Sequence, residues 1–259
     1  ALDRMDAFRP HVVVLDVEMP VLDGLATLRQ LRPRWPGLPV IMFSTLTSRA
    51  AAATLDALAS GASDYATKPV SNGSLNDTIE AVRNHLVPLV RNWGNIGQRR
   101  DATARRRAPS PRPGPAGPDT PSARTPGAAR PATPLPTPQR AGRPVGPIEA
   151  VVIGSSAGGP NALAELIPQF PADMPVPMLL TQHMPETFTQ LLANRLNEKS
   201  RLTVVEGEPG MPVLPGHLYI ARGGVHMVLA RRGGRVTIDF DEGPPENYCR
   251  PAVDVMFRS

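Results

Sequence analysis

The stretch Ile148-Glu149-Ala150-Val151-Val152-Ile153-Gly154-Ser155-Ser156-Ala157-Gly158-Gly159-Pro160-Asn161 passes from apolar residues through a glycine- and serine-rich bend into a helix-forming segment. That order predicts a strand over 148–153, a tight turn, and a helix over 161–167, with a serine at the bend. Gly154, Ser156 and Gly158 fit G-x-S-x-G. In that pattern small neighbours permit a sharp strand-to-helix turn, expose the serine oxygen and aim backbone N–H groups at developing negative charge. The plainer alternative is a serine or glycine N-cap in an ordinary βα unit. The rest of the chain has to decide between them.

A second strand is predicted over 176–181, running into Gln182-His183-Met184-Pro185 and a helix over 186–197. Consecutive parallel strands of a βαβ unit end at the same sheet edge, so Ser156 and His183 can be neighbours. A serine nucleophile needs a base, and a neutral imidazole suits that task. His217 and His226 also follow the serine, each beside a Gly-containing turn, and either a structural or a substrate-contacting role fits them. Only His183 has the topological argument.

Residues 1–94 alternate strand and helix signals: strands over 12–15, 39–43 and 65–67, and helices over 24–31, 49–59 and 75–86. The alternation predicts a parallel sheet with covering helices, whose chemistry gathers at the carboxyl ends of the strands. Asp16, Ser44 and Lys68 stand at those three ends. A carboxylate can accept a phosphoryl group, and the new charge then needs a cation and a hydroxyl beside it.

The whole chain is 259 residues, 41% apolar, which allows two domains with real cores. Its single cysteine, Cys249, excludes an intramolecular disulfide and a cysteine-rich zinc site, and suits a reducing compartment. No segment approaches the length of a membrane span and no basic-then-apolar leader opens the chain, so a soluble, cytoplasmic protein is expected. The net charge of +5 is concentrated: ten arginines and two aspartates lie between Arg99 and Arg143, leaving −3 for the remainder. The same region merges with thirteen prolines between Pro109 and Pro147 and is nearly without large apolar residues, so 95–147 is expected to be a disordered linker. It lacks aromatic interleaving or a reader motif, and no nucleic-acid partner is expected.

Leu15-Asp16-Val17-Glu18-Met19-Pro20, Asp23-Gly24, Ser44-Thr45, Gly61-Ala62, Asp64-Tyr65 and Thr67-Lys68-Pro69 together resemble a two-component receiver domain with a flavodoxin-like sheet. The resemblance implies Asp16 as phosphoacceptor and Mg²⁺ ligand, Ser44 as switch hydroxyl, Lys68 as the cation that pairs the phosphate, and a cis bond before Pro69. Receivers open with a strand ending in an acidic pair that completes the Mg²⁺ site, so the resemblance also implies that the domain over 1–94 is truncated at its start.

The second half resembles the catalytic domain of the chemotaxis protein-glutamate methylesterases, the CheB family, over 148–259. The residues that carry this include the Ser156 turn, Thr181-Gln182-His183-Met184-Pro185, Arg195-Leu196-Asn197, Val213-Leu214-Pro215-Gly216-His217, Tyr219-Ile220-Ala221, Gly243-Pro244-Pro245 and Arg250-Pro251-Ala252-Val253-Asp254. The resemblance implies a doubly wound, Rossmann-like α/β domain, truncated at its end, that hydrolyses glutamate methyl esters on chemoreceptors and deamidates receptor glutamines. Ser156 would be the nucleophile and His183 the base, with no cofactor for the esterase step. The third triad member, an aspartate, is implied to lie beyond Ser259, and Asp254 belongs to the motif before it. A chemotaxis histidine kinase is the implied phosphodonor, Mg²⁺ the implied cofactor of phosphorylation, and methylated receptors the implied substrates.

Two other readings bear weighing. A small-ester α/β-hydrolase places its histidine last, after the acid, whereas His183 follows the serine by one βαβ unit. For a response regulator with a non-catalytic output that merely binds nucleic acid or protein, no helix-turn-helix or RNA-reader pattern appears, and the folded segments sum to negative charge. A dinucleotide or P-loop site is excluded because neither G-x-G-x-x-G nor G-K-[ST] is present at the turn.

Overall fold

The computed structural model describes residues 2–69, 74–107 and 146–259. A one-turn helix α1 (Met5–Phe8) leads into β1 (Val13–Asp16), α2 (Gly24–Arg34), β2 (Val40–Ser44), α3 (Ser48–Ala59), β3 (Asp64–Thr67) and α4 (Leu75–Arg107). The three strands form a parallel sheet in the order β1-β2-β3, with Asp16 opposite Phe43 and Ser44 opposite Thr67. Asp23 caps α2 by accepting the Ala26 N–H at 2.7 Å, and Thr47 caps α3. Leu28, Leu31, Val40, Met42, Leu55 and Leu58 fill the space between sheet and helices.

The second unit comprises β4 (Val151–Ser155), α5 (Gly159–Leu166), β5 (Met178–Gln182), α6 (Glu186–Lys199), β6 (Thr203–Glu206) and β7 (His217–Ile220), then a hairpin β8 (His226–Arg232) and β9 (Arg235–Asp241), and α7 (Val253–Arg258). Its sheet is parallel in the order β4-β5-β7-β6. Met178, Leu179 and Leu180 are buried without alternation, as a strand covered on both faces requires. The α/β class and the parallel sheets expected of both units are found.

The two units share one apolar cluster. Tyr65 of β3 stacks on Phe188 of α6 with ring centroids 4.9 Å apart and an interplanar angle of 13°. Around the stack, Asn161 Nδ2 donates to the Ala62 carbonyl at 2.8 Å, and Arg195 donates to the Ala52 carbonyl at 3.0 Å and to Asp56 Oδ1 at 2.7 Å.

Two expectations are corrected. The helix expected over 75–86 runs on to Arg107, so 95–107, placed in the linker by composition, is helical; 108–145 lie outside the described residues. Pro88 and the two glycines look like breakers, but tertiary contacts outweigh local propensity. Gly97 packs so closely on the chain at His11 that a Cβ there would stand 2.0 Å from its carbonyl oxygen, and Gly94 faces Val12. Arg100 donates to the Gly37 carbonyl at 3.1 Å. The cis bond implied before Pro69 is not found; among the described residues the cis bond is Arg250–Pro251. The Lys68 N–H continues the ladder to the Ser44 carbonyl, and the trans chain already delivers its ammonium to Asp16.

Candidate active site and phosphoacceptor site

Ser156 follows β4 directly, and its exposed side chain stands above the N-terminus of α5. The bend is held by the Gly159 N–H, which donates to the Ser156 carbonyl at 2.8 Å, and Gly158 takes φ +73°, a left-handed conformation that glycine adopts without steric cost. A side chain at Gly159 would force its neighbours to shift: a Cβ there would lie 2.1 Å from Gln182 Oε1 and 2.2 Å from Ser155 Oγ. On the neighbouring strand Ser155 pairs with Gln182, and the His183 N–H donates to the Ser155 carbonyl at 3.2 Å. Backbone pairing therefore delivers serine and histidine to one edge, where both line a cleft of about 510 Å³.

The His183 ring is half-buried, and burial holds its pKa below the ordinary histidine value, with the charge of Asp254 opposing in the smaller degree. It is therefore neutral near pH 7, the form a general base needs. Its Nδ1 lies 3.4 Å from Cys249 Sγ, which leaves Nε2 for proton transfer. Burial pushes the Cys249 thiol above its usual range, so the sulfur beside the ring is an uncharged thiol at neutral pH. Asp254 is exposed on α7 and accepts from Asn247 Nδ2 at 3.3 Å. The other two histidines of the second unit are held by local contacts. His226 is buried, accepting the Ala252 N–H at Nδ1 and donating from Nε2 to the Pro244 carbonyl. His217 stacks on Tyr219 and bonds the Pro215 carbonyl.

The far wall of the cleft belongs to the first unit. Asp64, Tyr65, His85, Pro88 and Leu89 line it opposite Ser156 and His183. The Asp64 carboxylate accepts from Trp93 Nε1 at 3.0 Å and from the Tyr65 N–H at 2.9 Å, and the nearby backbone N–H of Gly158 in the serine turn favours its charged form. Burial raises its pKa, and those three N–H groups only partly oppose the rise. The Trp93 indole lies over Gly158, within 3.8 Å of the position a Cβ would take. A carboxylate and an indole from the first unit thus cap the turn that presents the candidate nucleophile. Local patterns did not single out Asp64, Trp93 or Gln182 as site residues; only the long-range packing of β3 and α4 against the β4–α5 bend gives them that place.

At the other site, Lys68 Nζ pairs with Asp16 Oδ2 at 2.7 Å, while Asp16 Oδ1 accepts the Glu18 N–H at 3.1 Å. The lysine also lies over the Phe43 ring at 5.7 Å. Ser44 is fully buried, and its hydroxyl is directed to the Ala50 and Thr45 carbonyls at 3.3 and 3.1 Å rather than to Asp16. Thr45, one residue on, reaches Glu18 Oε2 at 3.3 Å. Among the described residues no group of three or more His, Cys, Asp or Glu side chains converges to hold a metal. Mg²⁺ wants near-octahedral oxygen ligation, and Asp16, held by Lys68, supplies one side chain toward it.

A strand-end aspartate paired to a lysine in one parallel α/β unit, joined to a second unit with a serine turn beside a histidine, is the plan of a response regulator with an enzymatic type of output domain. Residues 1–80 match the response regulator receiver domain and residues 151–259 the CheB methylesterase domain. A protein-glutamate methylesterase/protein-glutamine glutaminase of Trichodesmium erythraeum is 40% identical over 259 residues, covering 100% of this chain and 67% of the relative. Its counterpart from a Nocardioides species is 41% identical and covers 100% and 65% respectively. The CheB methylesterase catalytic domain of Thermotoga maritima, known from a crystal structure, is 46% identical over 42% of this chain and 57% of its own, with a TM-score of 0.41. The chain belongs to the protein-glutamate methylesterase/protein-glutamine glutaminase family, and it spans about two thirds of the length of the curated relatives it matches. Among the described residues no helix is long and apolar enough to cross a membrane.

Proposed function

We propose that this protein hydrolyses methyl esters of glutamate side chains on chemoreceptors, and by the same chemistry deamidates receptor glutamines, acting in the cytoplasm under the control of its receiver. The observation that carries the reading is the meeting of Ser156 and His183 in one cleft, delivered by adjacent parallel strands in register. Ser156 Oγ attacks the ester carbonyl carbon while His183 Nε2 takes its proton. Backbone N–H groups at the turn hold the oxyanion of the tetrahedral intermediate. The C–O bond to the methoxy group then breaks, and the proton on His183 passes to it, releasing methanol. Water, deprotonated by the same imidazole, attacks the acyl-enzyme, which yields the glutamate and restores the serine. With an amide substrate the leaving group is ammonia.

Control is assigned to Asp16, phosphorylated by a histidine kinase of the chemotaxis pathway, with Lys68 pairing the phosphoryl group and Ser44 rotating toward it. The unphosphorylated receiver covers the cleft through Asp64, Tyr65 and Trp93. Methanol release from methylated receptor membranes tests the proposal. Ser156→Ala is expected to abolish turnover while the protein still binds receptor membranes, and turnover retained by that variant would place the nucleophile elsewhere.

A further inference from the structure

Gln182 carries a feature that the esterase reading leaves unexplained. It is 1% exposed, yet its Oε1 has no hydrogen-bond partner among the described residues. Burying a polar oxygen without a partner is unfavourable, and an apolar side chain of the same shape would remove that cost. The other end of the amide is engaged: Nε2 donates to the Ser156 carbonyl at 3.0 Å. That carbonyl also accepts the Gly159 N–H at 2.8 Å, so two donors fix it on the inner side of the turn.

The peptide joining Ser156 to Ala157 is trans and planar, so its carbonyl and its N–H point in opposite directions. Holding the carbonyl inward, toward Gln182 and Gly159, turns the Ala157 N–H outward. Ser156 and Ala157 both line the cleft. The residue after a nucleophile on a strand-to-helix bend is the one whose N–H meets the oxyanion. We propose that Gln182 is a positioning residue: by gripping the Ser156 carbonyl it aims the Ala157 N–H at the oxyanion of the acyl-transfer step. The proposal rests on Ser156 being the nucleophile. It also accounts for the absent side chain at Gly159, because any Cβ there would displace Gln182 Oε1.

The test compares the intact protein with its Gln182→Met and Gln182→Glu variants, with the receiver in the same phosphorylation state throughout. The primary readout is the rate at which a fluorophosphonate probe labels Ser156, which depends on the oxyanion donor and not on any receptor. The second is methanol release resolved into kcat and KM, and the third is thermal stability. Gln182→Met keeps the shape and loses the donor. It is expected to slow labelling and lower kcat by roughly 10- to 100-fold, somewhat less than outright removal of an oxyanion donor, with KM little changed and melting unchanged or higher. In Gln182→Glu the protonated acid regains an O–H donor, so its labelling rate relative to wild type should climb as pH falls. Labelling and kcat at the wild-type level in both variants overturn the role of Gln182 while leaving the esterase reading intact. So does a loss of activity in Gln182→Met that merely follows a lowered melting temperature, with no recovery of Gln182→Glu at low pH. Wild-type protein that labels at Ser156 but releases no methanol overturns the esterase reading alone, since the labelling comparison still decides the role of Gln182.

Discussion

Truncating Tyr65 to alanine should release the covered state of the cleft. Its ring lies nearly parallel to Phe188 at 4.9 Å, and this stack joins the apolar interior of the receiver to that of the second domain. Removing an aromatic side chain from a fully buried, rigid site costs about 3–5 kcal/mol. Tyr65 is only half-buried and one side of it borders the cleft, so about half of that value falls on the contact between domains. The stacking itself contributes about 0.5–1.5 kcal/mol beyond area. A loss of about 2–3 kcal/mol lowers the closed-to-open ratio roughly 30- to 150-fold. A receiver closed about 99% of the time would then be open for around half of it. Methanol release by unphosphorylated Tyr65→Ala should rise by tens of fold toward the phosphorylated rate, whereas Tyr65→Phe, which keeps the stack, should stay near the wild-type level. An unchanged basal rate in Tyr65→Ala, with a receiver that still melts cooperatively, would refute the reasoning.

Two pH dependences follow from the two displaced carboxyl and imidazole equilibria. Because burial disfavours the charged His183, the acid limb of kcat/KM should lie below the ordinary histidine value of about 6.5, with activity level above it; a limb centred above 7 would contradict the neutral base. Asp64 has a higher pKa in the closed contact than when exposed, so closure takes up a proton. The contact is therefore strongest at low pH and weakens as pH rises through the raised value. The ratio of basal to phosphorylated rate, which cancels the His183 limb, should increase with pH in wild type and stay flat in Asp64→Asn, and a flat wild-type ratio would sink the assignment.

Local signals were enough to locate most elements and to bring Ser156 near His183 and Asp16 near Lys68. The G-x-S-x-G bend needs small residues at fixed offsets, and strand alternation places His183 one parallel strand away, so Ser156 and His183 could be read without a structure. Asp16 and Lys68 were legible for the same reason, each standing at a strand end. The reach of α4 was not, because Pro88, Gly94 and Gly97 carry low helix propensity, and only packing on His11 and Val12 reverses their meaning. Nor was the meeting of Asp64 with Trp93 and Gly158, whose partners are distant in the chain and adjacent only after both sheets have formed. Ser44 was recognised by position, but the direction of its hydroxyl toward Ala50 follows from burial that no motif records.

The length of α4 sets where evolution can edit this chain. Helical residues step about 100° around the axis, so one residue inserted between Leu89 and Trp93 would swing the indole off Asp64 and out of the cap, even though composition and helicity were unchanged. Among the described residues no cleft-lining side chain lies between Arg107 and Ser156, so a residue inserted directly after Arg107 leaves the α4 side chains at the cleft where they are. Insertions and deletions should therefore accumulate more freely between Arg107 and Gly146 among relatives and be purged between Pro88 and Trp93, where reading frame along the helix matters more than the identity of any one residue.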